Sequence, residues 1–403
     1  MTKRVLIIST LDTKGVETFY LKEKIEALGF PAIIMDLSMG ADGEHPSEIT
    51  NAQVATAGGS TIEEIMQSRE RSRITRIMTS GASKLARQYH DEGRIDGVIA
   101  LGGSTGTLMA SDVMRSLPFG VPKAVISSTA ALPGLSTRYI GTGDIVLFHS
   151  VIEISGLSDL LKNVMDRAAH AITGMVHETV TPPVTGEKKA IALTMLGPCE
   201  KCASAVREAL EQSGYQVIGF SAAGIGDCAM EDMISEGFFH GIVDLAPGGV
   251  GEHLFGFMRD AGPHRMESAG KIGIPQIIST CSVNHMTPAK SKYRPEYKQR
   301  RKYDIDKFRT WIRLSPEELR EVAKAFAAKL NKAGGPVKIL IPKDGWSSVD
   351  QPGNPTYDPQ EDRLFVDALR KNLLPQIQLA EIEANMEDRV FAEAVVETAL
   401  ELF

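Results

Sequence analysis

Two stretches of this chain can be laid over one another, strand for strand and glycine for glycine: IDGVIALGGSTGTLMASDVM at 95–114 and FHGIVDLAPGGVGEHLFGFM at 239–258. Each is a short apolar run, a glycine-rich turn and then a helical pattern. A continuous apolar run suits a strand covered on both faces, and a strand that passes straight into a helix belongs to a parallel sheet. The matching extends outward. KRVLIIST, VETFYLKEKIEALG and FPAIIMDLS read as strand, helix and strand at the start of the first half, and KKAIALTML, SAVREALEQSG and YQVIGFSA do so in the second. VPKAVISSTA and IPQIISTCSV pair likewise. The pattern predicts two successive doubly wound, Rossmann-like parallel-sheet α/β domains, with a barrel left open for the second.

HETVTPPVTGEKK, residues 177–189, holds adjacent prolines and no apolar period, so it is expected to be a linker between domains at 1–176 and 190–403. Two domains suit a length of 403 residues. In the first, residues 61–94 follow a helical pattern that starts with capping-box spacing at Thr61 and Glu64 and is expected to break at Gly81. In the second, Ser315 and Glu318 repeat that spacing ahead of a helix.

A formal charge of -7 argues against general nucleic-acid binding, which needs a broad positive surface. Residues 290–313 are the exception, with ten Lys or Arg against three acidic residues and five aromatics interleaved. Because the rest of the chain is acidic, this segment is expected to serve homo-oligomer assembly or a ligand rather than nucleic acid. The apolar run near the N-terminus spans only Val5–Ile8, too short for a signal peptide or a membrane span, and four cysteines are too few for a disulfide framework. A cytoplasmic protein with reduced thiols and no membrane partner is expected.

In open parallel sheets ligands gather at the carboxyl ends of strands, where loops expose amides beside helix N-termini. STLDTKG offers Asp12 for a metal or ribose, Lys14 for phosphate and Gly15 for close approach, although the same residues could simply build a turn. GGSTGT, Gly102–Thr107, sets three glycines and three hydroxyls, Ser104, Thr105 and Thr107, immediately before a helix, which suits an anion. SSTA at 127–130 and GTGD at 141–144 add Thr129, Gly141 and Asp144, expected at the same edge. Asp36 ends the second strand, where a carboxylate can hold ribose or cap a turn. In the second domain Glu252 and His285 are candidates for general acid or base. Cys199, Cys202, Cys281, His253 and His285 could also assemble a zinc site, but a single C-x-x-C is a weak signal.

The loops STLDTKGVET, ALGGSTGT, SSTAALPGLSTRYIGTGDI and DGWSSVDQPGNPTYDP together resemble those of a bacterial, fungal and plant family of ATP-binding proteins related to the N-terminal half of the tomato mosaic virus resistance protein. The resemblance runs from Val5 to about Ala394. It implies ATP bound by Asp12, Lys14, Gly15, Gly102, Gly103, Ser104, Thr105, Gly106, Thr107, Thr129, Gly141 and Asp144, and it implies an oligomer. The segment after Cys281 departs from the family pattern.

The resulting expectation is an enzyme that uses ATP on a small carboxylate or carbonyl substrate between the two domains. In it Asp12 or Asp144 would hold Mg²⁺, and Glu252 or His285 would carry protons. The alternatives are a nucleotide-regulated binding protein and an NAD-dependent oxidoreductase, the latter disfavoured by the missing G-x-G-x-x-G.

Overall fold

A computed structural model describes residues 2–40, 45–178 and 188–403. The chain divides into two compact units, Met1–Pro182 and Pro183–Phe403. Residues 179–187, most of the expected linker, lie outside the described residues, and His177 and Glu178 still belong to the last helix of the first unit.

In the first unit β1 (Val5–Ser9), α1 (Leu11–Ala27) and β2 (Ala32–Asp36) are followed by three helices, α2 (Asn51–Ala57), α3 (Ile62–Gln67) and α4 (Arg71–Asp91). Then come β3 (Gly97–Gly102), α5 (Ser104–Arg115), β4 (Lys123–Ser127), α6 (Ser136–Ile140), β5 (Val146–His149) and α7 (Asp159–Glu178). All five strands are parallel, in the order β2-β1-β3-β4-β5. The continuous apolar runs inside β1 to β4 explain this. Alternate residues of β1 feed opposite layers, Leu6 and Ile8 toward α4 and α5, Val5 and Ile7 toward α1 and α7. The long helical pattern breaks at 68–70 and not at Gly81, which lies inside α4. A Cβ there would lie 1.9 Å from the Val54 carbonyl oxygen, so the glycine serves close approach of α2 and α4.

The second unit repeats the plan with β6 (Ala190–Met195), α8 (Glu200–Gln212), β7 (Gln216–Ser221), α9 (Ile225–Ser235), β8 (Gly241–Asp244), α10 (Gly249–Phe255), α11 (Ser268–Ile272) and β9 (Gln276–Ile278). Three short strands follow, β10 (His285–Met286), β11 (Lys302–Asp304) and β12 (Thr310–Arg313), and then α12 (Pro316–Leu330), β13 (Val337–Pro342), α13 (Pro359–Asn372), β14 (Gln378–Ile382) and α14 (Arg389–Leu402). Six strands form a parallel sheet in the order β14-β13-β9-β8-β6-β7. Its two ends, β14 and β7, remain edges, so this sheet is open and the barrel alternative falls. Numbered within each unit, both sheets run 2-1-3-4-5, the second with a sixth strand, the order that places a switch point between strands 1 and 3. Ser315 and Glu318 form the full reciprocal capping box at the start of α12.

The basic segment supplies β11 and β12 of the small antiparallel sheet β10-β12-β11, and many of its charges are answered within the unit. Arg300 pairs with Glu318 (2.5 Å), Arg301 with Asp358 (2.8 Å) and Glu361 (2.5 Å), and Arg313 with Glu361 (2.6 Å) and Asp362 (2.5 Å). Tyr297 and Trp311 are buried. Reversing Arg300 or Arg301 would therefore disturb the fold before any assembly surface. Among the described residues no helix is long and apolar enough to cross a membrane.

Candidate functional site

The switch point of the first sheet lies between β1 and β3, and their following turns are STLDTKG and GGSTGT. Topology thus brings together two loops that are about ninety residues apart in sequence. α5 begins at Ser104 with Gly103 as its N-cap, and the first intrahelical bond runs from Thr107 N to Gly103 O (2.9 Å). The amides of 104–106 precede that bond and carry the positive end of the helix dipole. Among the described residues, the Ser104 and Thr105 hydroxyls have no hydrogen-bond partner. Gly103 (φ −80°) and Gly106 have room where a side chain would be, an added Cβ meeting only Ser128 Oγ at 3.9 Å and the Leu101 carbonyl oxygen at 4.0 Å. Gly102 instead ends β3, and a Cβ there would lie 3.3 Å from the Gly106 Cα, so its missing side chain lets α5 pack closely. Thr107 faces inward, fully buried, with Oγ1 2.8 Å from Ser127 Oγ.

The other turn is tighter than a loop. α1 starts at Leu11, and only Lys14 departs from helical backbone (φ −132°, ψ 19°). Lys14 Nζ donates to the Ile154 carbonyl in the segment after β5. Gly15 leaves room for the His45 ring, which a Cβ would meet at 2.0 Å. Asp12 keeps its carboxylate exposed, while its amide donates to Ser38 Oγ (3.0 Å). Asp36 holds this turn together: Oδ1 accepts from Leu11 N (3.1 Å), Ser38 N (2.9 Å) and Ser38 Oγ (2.5 Å). Burial raises its pKa, and these bonds only partly offset that. Its geometry suits a turn cap rather than a ribose ligand. Ser38 and Ile154 were not singled out from the sequence, because only the fold places them here.

Thr129 and the GTGD loop part company. Thr129 Oγ1 bonds Tyr139 OH (2.8 Å) and Ser127 Oγ (3.2 Å), close to the carboxyl ends. Asp144, however, precedes β5 and bonds residues at the start of β4: Lys123 Nζ (2.6 Å) and Gly120 N (2.8 Å). In a parallel sheet that is the amino edge, opposite Gly102, so the expected common edge is corrected and Asp144 cannot join Asp12 around one metal. Gly141 caps α6 with φ 53° against the Arg115 side chain, at the far end of α5 from Ser104.

In the second unit Glu252 lies within α10, fully buried, and accepts from Arg259 Nε (3.1 Å) and Nη2 (2.7 Å). A carboxylate held this way anchors a cation and is poorly placed to carry protons. His285 sits in β10, paired in register with Arg313, its ring 5.9 Å from that of Trp311. Burial, with Arg313 and Arg259 nearby, holds its pKa well below the ordinary value, and Nε2 has no partner among the described residues. It is a neutral buried imidazole rather than a loop base. Cys199, Cys202 and Cys281 are buried, His253 bonds Asp260 (2.8 Å), and among the described residues no three His, Cys, Asp or Glu side chains surround a common metal position.

His285 carries a pH prediction. A base whose folded pKa lies below its unfolded value near 6.5 binds more protons when unfolded, so its contribution is complete above 6.5 and is lost as pH falls toward the folded pKa. Asp362, raised by burial and by the charge of Asp350, has the opposite slope, gaining stability as pH falls toward its unfolded value near 4. Urea titrations of the parent between pH 7 and 5 should therefore be compared with His285→Gln. The variant should lose a slope of up to about 1.4 kcal/mol per pH unit. Equal slopes in both proteins would mean that His285 titrates normally.

Residues 3–181 match the model described as "Uncharacterised protein family (UPF0261) N-terminal domain", and residues 188–403 match that of its C-terminal domain. The chain belongs to the UPF0261 family. It is 33% identical over 404 residues to a UPF0261 protein of Clostridium tetani, covering 100% of this chain and 99% of that one. It is also 32% identical over 333 residues to the ToMV resistance protein Tm-1 of Solanum lycopersicum, covering 81% of this chain but 44% of the tomato protein. The expected kinship with the tomato protein is thus present in this UPF0261 chain. Among solved structures, a UDP-GlcNAc 2-epimerase from Neisseria meningitidis bound to UDP-GlcNAc is 11% identical, covering 68% of this chain and 82% of that one, with a TM-score of 0.23. That score carries no argument about function.

Proposed function

We propose that the first unit binds ATP at the β1/β3 switch point, with the phosphates on the α5 N-terminus. The observation that carries this reading is the pairing of uncommitted donors, the amides of 104–106 and the Ser104 and Thr105 hydroxyls, with a surface left bare by Gly103 and Gly106. Such a concave set of N–H and O–H groups suits phosphate oxygens. Lys14 is the cation of the site, and Asp12 is the exposed carboxylate available to a phosphate-bound Mg²⁺. When bound, ATP would supply a transferable phosphoryl group; the residues named here hold and orient it.

Isothermal titration tests the assignment. A lost charge-assisted contact typically costs about 1.5–3 kcal/mol, so Lys14→Ala should weaken ATP binding by roughly ten- to a hundredfold. The Ile154 carbonyl that already holds Lys14 places the result nearer the lower end. No binding of ATP with Mg²⁺ to the parent protein at millimolar concentration ends the proposal. Steady ATP consumption with one metabolite would make the chain an ATP-using enzyme of small-molecule metabolism. Binding without consumption would make it a nucleotide-regulated binding protein.

A further inference from the structure

We propose that a cavity of about 350 Å³ in the second unit, at the carboxyl ends of β13 and β14 beside the first turns of α13, binds a small organic carboxylate. Its walls include Ile341, Pro342, Trp346 and Val366, which offer an apolar seat, with Lys343 and Arg363 also lining it. The volume falls in the range of small-molecule sites, and the position, outside the carboxyl ends of parallel strands, is where such sheets bind ligands.

Charge selects the ligand class. Lys343 pairs with Glu383, while Arg363 (2.7 Å) and Arg370 both pair with Glu381, so three cations share two carboxylates and leave a positive excess. Lys343 and Arg363 remain 35% and 50% exposed and can turn to an incoming anion. Two acidic residues, Glu381 and Asp362, also line the cavity; Glu381 is already held by Arg363 and Arg370, and Asp362 is buried against Arg313. Asp362 Oδ1 accepts from Asn284 Nδ2 (2.9 Å) and Arg313 Nη2 (2.5 Å), and Oδ2 has no partner among the described residues. Burial and the neighbouring Asp350 push its pKa up, and Arg313 answers its charge from within the unit, so it does little to repel a carboxylate.

This site is independent of the nucleotide reading, and its test is chosen accordingly. The chain has two tryptophans, and Trp346 lines the cavity, so ligand entry should alter intrinsic fluorescence. The full-length protein is titrated with benzoate and hexanoate, with benzamide as the uncharged isostere, by fluorescence and by calorimetry. Benzoate or hexanoate should give a saturable change with a dissociation constant of about a millimolar or tighter, and benzamide should bind at least about tenfold more weakly. Lys343→Gln and Arg363→Gln, both at exposed positions, should each weaken the acid several-fold without moving the melting temperature. The response should persist in Gly103→Asp, which removes the ATP site only. Absence of a saturable response to either acid, equal binding of benzamide, or unchanged affinity in the Lys343→Gln/Arg363→Gln double variant would overturn the assignment.

Discussion

Replacing Arg265 by methionine should lower the stability of the second unit by about 3–5 kcal/mol, the cost of removing one partner from a buried ion network. The guanidinium is 1% exposed and lies among three carboxylates: Nε donates to Asp227 (2.8 Å), Nη2 to Asp244 (2.8 Å) and Nη1 to Glu231 (3.4 Å). Burial alone would lower the arginine's pKa, but Asp244 and Asp227 outweigh it and raise it, so the cation is firmly charged. The same carboxylates have structural tasks. Asp244 ends β8 and accepts from Thr194 Oγ1 (2.8 Å), and Glu231 accepts from the amides of Met266 (2.6 Å) and Ser268 (2.9 Å). Methionine would leave three buried negative charges without a counter-ion. Arg265→Lys should also be costly, since a single ammonium cannot reach three carboxylates in a planar fork. Adding Asp227→Asn and Asp244→Asn to the methionine variant should recover part of the loss by removing the uncompensated charge. Urea unfolding measures all three. A loss below about 1 kcal/mol in Arg265→Met would show that the network does not hold this unit together.

Gly103→Asp should move stability and ligand binding in opposite directions. Aspartate is favoured at a helix N-cap and complements the dipole, and Gly103 has both an ordinary φ of −80° and room for a Cβ, which would meet Ser128 Oγ at an ordinary 3.9 Å. The melting temperature should hold or rise slightly. ATP affinity should fall by at least about a hundredfold, because the new carboxylate occupies the amides that would receive phosphate and repels its charge. Gly249→Val would be a poor control, since a Cβ there would lie 2.5 Å from that of Ala261 and the fold would suffer. Gly197→Asp is better: it follows β6, has nothing within 4 Å of an added Cβ, and should leave ATP binding unchanged. Undiminished ATP affinity in folded Gly103→Asp would move the nucleotide away from α5.

Much of this architecture is local information. Apolar runs such as Val98–Leu101 and Ile339–Ile341 can only be covered strands, and Ser315 with Glu318 states where α12 begins, because periodicity and capping depend on residues within a few positions of each other. Glycine and hydroxyl density likewise marked the start of α5 as the candidate site. The misplaced residues are those whose role depends on distant partners. Asp144 moved to the opposite edge because β5, not anticipated from the sequence, begins after it; Gly81 proved a packing glycine because α2 lies against it; Glu252 proved an anchor because Arg259 folds back onto it. The sequence by itself determined most strands of the two parallel sheets, most helices and the paired plan of two units. Tertiary structure decided which sheet edge each polar side chain faces and which charges are already spent, because strand order and buried ion pairs arise from contacts between residues far apart in the chain.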